Sequence, residues 1–267
     1  MVPALGSSGP LTEPGRLSEP NAPAALERHI ALEGAVNFRD LGGYRTTDGR
    51  TIRWRTLYRA DDLSRLSRPD RALVRNLGIA TVIDLRSRNE VESERFPVDE
   101  IPVGFHHLPL TAELPPFDEF RAGPRVFARH YRDIAREAGD QIGRAVAIVA
   151  QPESHPVIVH CAAGKDRTGV LVAVLLALLG VPDDTIAEDY ALSAQAMDQL
   201  LKRLLDRLPG QEEVISSVAA TMFSATPDNI RAMLEGVRAE YGSIGVYAAA
   251  HGAGPEIVAS LRASLLE

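Results

Sequence analysis

Residues 160–169 read His-Cys-Ala-Ala-Gly-Lys-Asp-Arg-Thr-Gly and contain the only cysteine in the chain. Val157-Ile158-Val159, with His160, reads as a short buried strand, and the apolar run Val170–Leu179 reads as a buried helix. A strand, a tight loop and a helix therefore set Cys161 at a helix N-terminus. Backbone N–H groups converge on such a point, and the helix dipole favours negative charge there. The spot suits a phosphate dianion, and it stabilises a thiolate, the nucleophilic form of cysteine. Arg167, six positions on, can curl back and offer a planar fork to two phosphate oxygens. The decapeptide thus proposes a nucleophile, Cys161, inside an anion cradle of Ala162, Ala163, Gly164, Lys165, Asp166 and Arg167.

A bare Cys-x5-Arg match carries little weight in a chain with 27 Arg and 2 Lys. Context gives it force. The cysteine follows an apolar strand, Gly164 lies in the loop, Thr168 follows the arginine, and Gly169 permits close packing at the helix start. The competing structural reading is a lone buried cysteine acting as a small hydrophobe.

The loop resembles the His-Cys-x5-Arg-[Ser/Thr] signature of the cysteine-dependent protein tyrosine phosphatase superfamily. Asn37-Phe38-Arg39-Asp40-Leu41-Gly42-Gly43-Tyr44, Leu57-Tyr58-Arg59-Ala60 and Thr81-Val82-Ile83-Asp84-Leu85-Arg86 are similar to upstream blocks of a bacterial branch of that superfamily. So are Glu240-Tyr241-Gly242-Ser243 and the helix Leu261–Leu266. The resemblance runs from about residue 30 to the end of the chain. It implies hydrolysis of phosphotyrosine, and of phosphoserine or phosphothreonine in a dual-specificity enzyme, through a phosphocysteine intermediate. Inorganic phosphate is the product, and no cofactor or metal is needed.

In that chemistry Cys161 attacks phosphorus and Arg167 stabilises the equatorial oxygens. Thr168 can donate its hydroxyl to the sulfur or cap the helix. His160 positions the loop through its ring hydrogen bonds. A tyrosine leaving group, with a pKa of about 10, needs a proton donor. Other tyrosine phosphatases carry that donor on a Trp-Pro-Asp loop, but the one tryptophan here, Trp54, precedes Arg55. Asp166 is the first candidate acid, because a bound phosphate beside it favours the protonated carboxyl. Asp84, at a strand end, is the second. Its structural reading is as partner to an arginine, Arg167 among them. Asp133, 28 residues before the cysteine, is a third, with a solvated helix face as its structural reading. Lys165 adds a cation at the mouth of the cradle, and Arg59 can reach the same pocket.

A lysine in this loop also fits phosphoinositide phosphatases, which end a similar loop in Gly-Lys-x-Arg. They often carry a basic residue right after the cysteine, where this chain has Ala162. A non-catalytic phosphate-binding module is opposed by the intact Cys161 and Arg167. A sulfur-transfer enzyme of the rhodanese type is opposed by the Lys-Asp-Arg-Thr-Gly ending.

The elements needed to hold this site can be read around it. Tyr44–Thr47 and Ile52–Leu57 read as a hairpin about Asp48-Gly49. Ser67-x-x-Asp70 opens a helix to about Leu77, ended by Gly78. Ile79–Leu85 reads as a central strand and Phe105–Leu108 as a short one. Residues 117–150 hold one or two amphipathic helices, with breaks at Gly139 or Gly143. Asp183/Asp184 start a helix to about Ser193, Ala194–Leu208 forms another, and Pro227–Tyr241 a third with proline in its first turn. The expected fold is α/β, a single domain with a mostly parallel central sheet flanked by helices. Residues 1–25 read as a disordered tail and 26–267 as the catalytic domain. The resemblance implies a helical lid at about 190–228.

With 45% apolar residues the chain can bury a sizeable core, and a net charge of −7 argues against nucleic-acid binding. Anion attraction must then come from the loop itself. One cysteine excludes an internal disulfide. No apolar run reaches the roughly 18 residues of a membrane span. The N-terminus lacks a signal-peptide pattern, so a cytoplasmic protein is expected. The resemblance leaves export without a classical signal peptide as the alternative.

Overall fold

The computed structural model describes residues 28–112, 119–120, 123 and 125–267. The expected tail, 1–25, lies outside the described residues, as does part of the 117–150 stretch. Five strands form one sheet: β1 (Arg39–Asp40), β2 (Leu57–Ala60), β3 (Thr81–Asp84), β4 (Gly104–His107) and β5 (Val157–His160), in the order β1-β2-β5-β3-β4. Only β1 runs antiparallel to its neighbour. The fold is α/β with a mostly parallel sheet, as the alternation of elements predicts.

β5 sits at the centre, and its residues are buried on both faces. The strand period of two sorts them. Tyr58, Val82 and Ile158 face a smaller core with Phe38, Leu66 and Val74. Leu57, Ile83, Val157 and Val159 face the larger one. Parallel pairing sets Asp84 beside His160, a register with consequences for the site.

On the smaller-core side, α1 (Arg68–Asn76) starts with a reciprocal capping box between Ser67 and Asp70, and Gly78 follows it at φ 69°. A short α2 (Arg88–Ser93) follows β3. The larger core surrounds α5 (Asp166–Leu179), which is buried along nearly its whole length. It ends at Gly180, whose φ of 92° is a left-handed conformation that glycine adopts without steric cost. Around it pack α3 (Val126–Glu137), α4 (Gly139–Val149), α6 (Asp183–Ala191), α9 (Pro227–Tyr241), α10 (Ile244–Ala250) and α11 (Pro255–Leu265). Two further helices, α7 (Ala194–Arg207) and α8 (Glu212–Met222), lie between α6 and α9 in sequence.

Two expectations need correction. The turn at Asp48-Gly49 forms, with Thr46 N–H bonding the Arg50 carbonyl at 2.9 Å, but Ile52–Leu57 is not a strand. Thr51 and Glu267 exchange two backbone bonds, and Arg53 N–H bonds the Leu265 carbonyl. The segment is thus diverted from the sheet to the chain's last residues. Gly143 does not break a helix. It lies inside α4, where a Cβ would stand 1.7 Å from the His251 carbonyl oxygen.

Candidate active site

The loop from Cys161 to Lys165 joins β5 to α5, and its carbonyls are held from outside. Asp62 N–H bonds the Ala162 carbonyl at 3.2 Å. Asn37 Nδ2 bonds the Ala163 carbonyl at 2.9 Å, and Arg59 Nη2 bonds that of Gly164 at 2.7 Å. In a planar trans peptide the N–H points opposite to the carbonyl that precedes it. Holding these three carbonyls outward therefore turns the amides of Ala163, Gly164 and Lys165 inward. Gly164 has φ 63°, and a Cβ there would stand 2.5 Å from the Ala60 carbonyl oxygen. No larger residue fits between loop and strand.

The braces are themselves anchored. Asp189, at the end of α6, accepts from Arg39 Nε at 3.0 Å, Arg59 Nη1 at 2.6 Å and Tyr44 Oη at 3.0 Å. All four side chains are buried. Burial opposes the Asp189 charge, but the two guanidiniums outweigh it and hold the carboxyl far below the ordinary carboxylate range. Arg59 therefore does not reach into the pocket. It supports the loop from beneath. Asp61 bonds the amides of Val36 and Asn37 and fixes the segment that carries Asn37.

Cys161 is 1% exposed and lies in the wall of a cavity of about 260 Å³. Ala162, Ala163, Asp166 and Arg167 line the cavity from the loop side. Leu200, Arg203, Leu204 and Arg207 of α7, with Met222 at the end of α8 and Phe223 just after it, form the facing wall. A second cavity, of about 370 Å³, adjoins Asp166, Arg167 and Met222 and has Phe120, Phe127 and Ile134 among its walls.

Arg167 meets Glu90 end-on, Nη1 to Oε2 at 2.6 Å and Nη2 to Oε1 at 2.9 Å. A guanidinium has five N–H donors, so three remain for phosphate oxygens. Glu90 is fixed by a second capping box: its Oε2 accepts from Ser87 N–H at 2.7 Å. Burial opposes its charge, yet the Arg167 and Ser87 hydrogen bonds hold the carboxyl at about 2. Sequence reasoning missed Glu90, although Ser87-x-x-Glu90 is a capping-box pattern directly after a strand.

Asp84 is not Arg167's partner. It is fully buried and bonds Arg86, whose Nε stands 3.0 Å from both oxygens and whose Nη2 stands 2.7 Å from Oδ2. Burial opposes the Asp84 charge, but His160 and Arg86 hold the carboxyl below its ordinary range. Asp84 does not line the cavity that holds Cys161. Asp133 does not line it either, and pairs with Arg136 at 3.2 Å along α3.

Asp166 does line it. Its Oδ1 accepts from Tyr131 Oη at 2.5 Å, and Tyr131 Oη is 2.6 Å from Tyr190 Oη. Lys165 Nζ stands 3.3 Å from the same Oδ1. Lys165 is not a cation at the mouth. It is buried, and its ammonium donates to the carbonyls of Met222 and, at 3.0 Å, of Ser224, while lying 4.3 Å from the Phe127 ring centre. The side chain thus ties the loop to the end of α8.

Among the described residues, His160 makes no ring hydrogen bond. Its Nε2 stands 3.5 Å from Asp84 Oδ2, and burial pushes its pKa below the ordinary value. Thr168 does not cap the helix, and its buried Oγ1 has no hydrogen-bond partner among the described residues. A Cβ on Gly169 would stand 3.0 Å from the Tyr190 ring, the close packing expected at the helix start.

A strand–loop–helix that aims backbone amides at a buried cysteine, with three donors left on the neighbouring arginine, has the chemistry to hold a phosphate group against a nucleophile. The chain belongs to the tyrosine phosphatase family, whose sequence profile matches residues 30–267, and is a phosphatase enzyme. It is 32% identical over 243 residues to the triple specificity protein phosphatase PtpB of Mycobacterium tuberculosis, covering 79% of this chain and 84% of that one. It is 30% identical over 241 residues to a Cupriavidus necator protein with a tyrosine-protein phosphatase name, covering 85% and 87%. Among solved structures it is similar to TpbA of P. aeruginosa, with a TM-score of 0.31 and 19% identity over 68% of this chain and 88% of that one. Among the described residues, no helix is long and apolar enough to cross a membrane.

Proposed function

We propose that the chain hydrolyses phosphotyrosine, with phosphoserine and phosphothreonine as further substrates, through a phosphocysteine intermediate. The observation that carries this reading is the loop whose carbonyls are tied outward around Cys161, beside Arg167. Cys161 attacks phosphorus, the S–P bond forms and the P–O bond to the phenol breaks. Asp166 gives its proton to the departing phenol oxygen. Water then attacks phosphorus, the S–P bond breaks, the thiolate is restored, and Asp166 takes back a proton as inorganic phosphate leaves. Arg167 and the inward amides hold the equatorial oxygens through both steps. Thr168, whose buried hydroxyl has no partner among the described residues, serves the sulfur. Asp84 and His160 are structural in this scheme.

α7 and α8 act as a lid, since they form the wall opposite the loop. Arg65, Arg203 and Arg207 border the same cavity. They favour a second reading, in which phosphoinositides are hydrolysed by the same chemistry.

Comparing kcat/KM for phosphotyrosine peptides and phosphatidylinositol phosphates tests the ordering. Higher values for the peptides are expected. A preference for the lipids above about tenfold, roughly 1.4 kcal/mol of transition-state binding, would reverse it.

A further inference from the structure

We propose that Tyr131 is a positioning residue for the general acid, fixing the Asp166 carboxyl so that its proton sits on the oxygen facing the leaving group. This rests on the reading of Asp166 as the acid. The two oxygens of Asp166 are unlike. Oδ1 accepts from Tyr131 Oη at 2.5 Å and lies 3.3 Å from Lys165 Nζ. The Tyr131 hydroxyl donating to Oδ1, with the Lys165 ammonium charge beside it, keeps that oxygen an acceptor and puts the acid proton on Oδ2. The Tyr131 hydroxyl cannot turn freely, because Tyr190 Oη stands 2.6 Å behind it. With Tyr131's proton directed to Asp166, Tyr190 donates to Tyr131, and the chain runs one way: Tyr190 to Tyr131 to Oδ1.

Both tyrosines are buried, and both phenols are pushed above the ordinary range by burial and by the Asp166 charge. They stay protonated and act as fixed donors. Tyr131 comes from α3 and Tyr190 from α6. Tyr190 adjoins Asp189, the anchor of the Arg59 brace. One turn of α6 thereby addresses the loop twice, through Asp189 and Arg59 to the Gly164 carbonyl, and through Tyr190 and Tyr131 to Asp166.

The test is a series of aryl phosphates whose phenols span a range of pKa. For each, kcat/KM reports events up to phosphocysteine formation. A phenol that leaves readily needs no proton, and a poor one does. Tyr131→Phe is expected to lower kcat/KM about tenfold for phenyl phosphate and less than about twofold for dinitrophenyl phosphate, so the dependence on leaving-group pKa steepens. Inhibition by inorganic phosphate is expected to stay within about twofold of wild type. Asp166→Asn is run in parallel and is expected to steepen the dependence further. A loss in Tyr131→Phe equal for every substrate, or no loss, would overturn the inference while Asp166→Asn still steepens. An unchanged slope in Asp166→Asn would instead remove the acid reading on which the inference rests. Tyr190→Phe keeps the Tyr131 bond to Asp166 and is expected to steepen the slope less, in the same direction. Should Tyr131→Phe fail to fold, an unchanged slope in Tyr190→Phe overturns the inference.

Discussion

At the scale of single residues, the site turns on which carboxylate meets which arginine. Asp84, Glu90 and Asp166 all belong to its neighbourhood, and each has a different partner. Asp84 pairs with Arg86 two residues on, inside the core. Breaking a buried pair strands the remaining charge, so Asp84→Asn is expected to destabilise the fold by about 3 kcal/mol in urea denaturation. It is also expected to leave the leaving-group dependence of kcat/KM unchanged, in contrast to Asp166→Asn. Glu90 holds its proton only below about 2 in the folded protein, against an ordinary value of 4.5. A depressed carboxyl contributes stability that is present above its unfolded value and is lost as pH falls through the folded one. Glu90→Gln is therefore expected to flatten the stability profile between pH 4.5 and about 2, as read by denaturant titration at each pH. The same variant frees Arg167 to wander and is expected to lower kcat/KM about tenfold.

At the scale of elements, the placing of Cys161, Asp166 and Arg167 beside one cavity was legible because they fall within seven residues at the junction of a strand and a helix. The elements themselves follow from period and caps: the apolar run of α5 and the Ser67–Asp70 box stand where the pattern puts them. The braces were not legible. Asn37 lies 126 residues from the carbonyl it holds, and Arg59 lies 105 from its own. With 27 arginines in the chain, no spacing singles out the one that will be buried under the loop. Lys165 was misread for a related reason. A loop lysine reads as solvated, and only the packing of the α8 end over the loop gives its ammonium two carbonyls. Lys165→Met is expected to loosen that end, seen as faster amide exchange over α8 with α5 unchanged. Asp189→Ala leaves Arg39 and Arg59 buried without their carboxylate and is expected to cost about 3–5 kcal/mol, with weaker phosphate binding.

At the scale of the whole molecule, a rigid sheet and buried α5 hold one side of the cavity, and two thinly packed helices close the other. α7 buries only Ala196 and Met197 among its residues, whereas α5 is buried almost throughout. Amide exchange is expected to be fastest in α7 and α8 and slowest in α5 and β5. The chain carries a net charge of −7, so in the proposed reading the attraction for phosphate is local to Arg167 and the inward amides, and kcat/KM for a small aryl phosphate should change little with salt.

The central claim is that Cys161 carries the phosphoryl group during turnover. Rapid quenching of the enzyme with an aryl phosphate, followed by mass spectrometry of its peptides, tests it most directly. The phosphoryl group is expected on the peptide containing Cys161. Cys161→Ser should abolish turnover while inorganic phosphate still binds. Undiminished turnover in Cys161→Ser, or a phosphoryl group on another residue, would contradict the account.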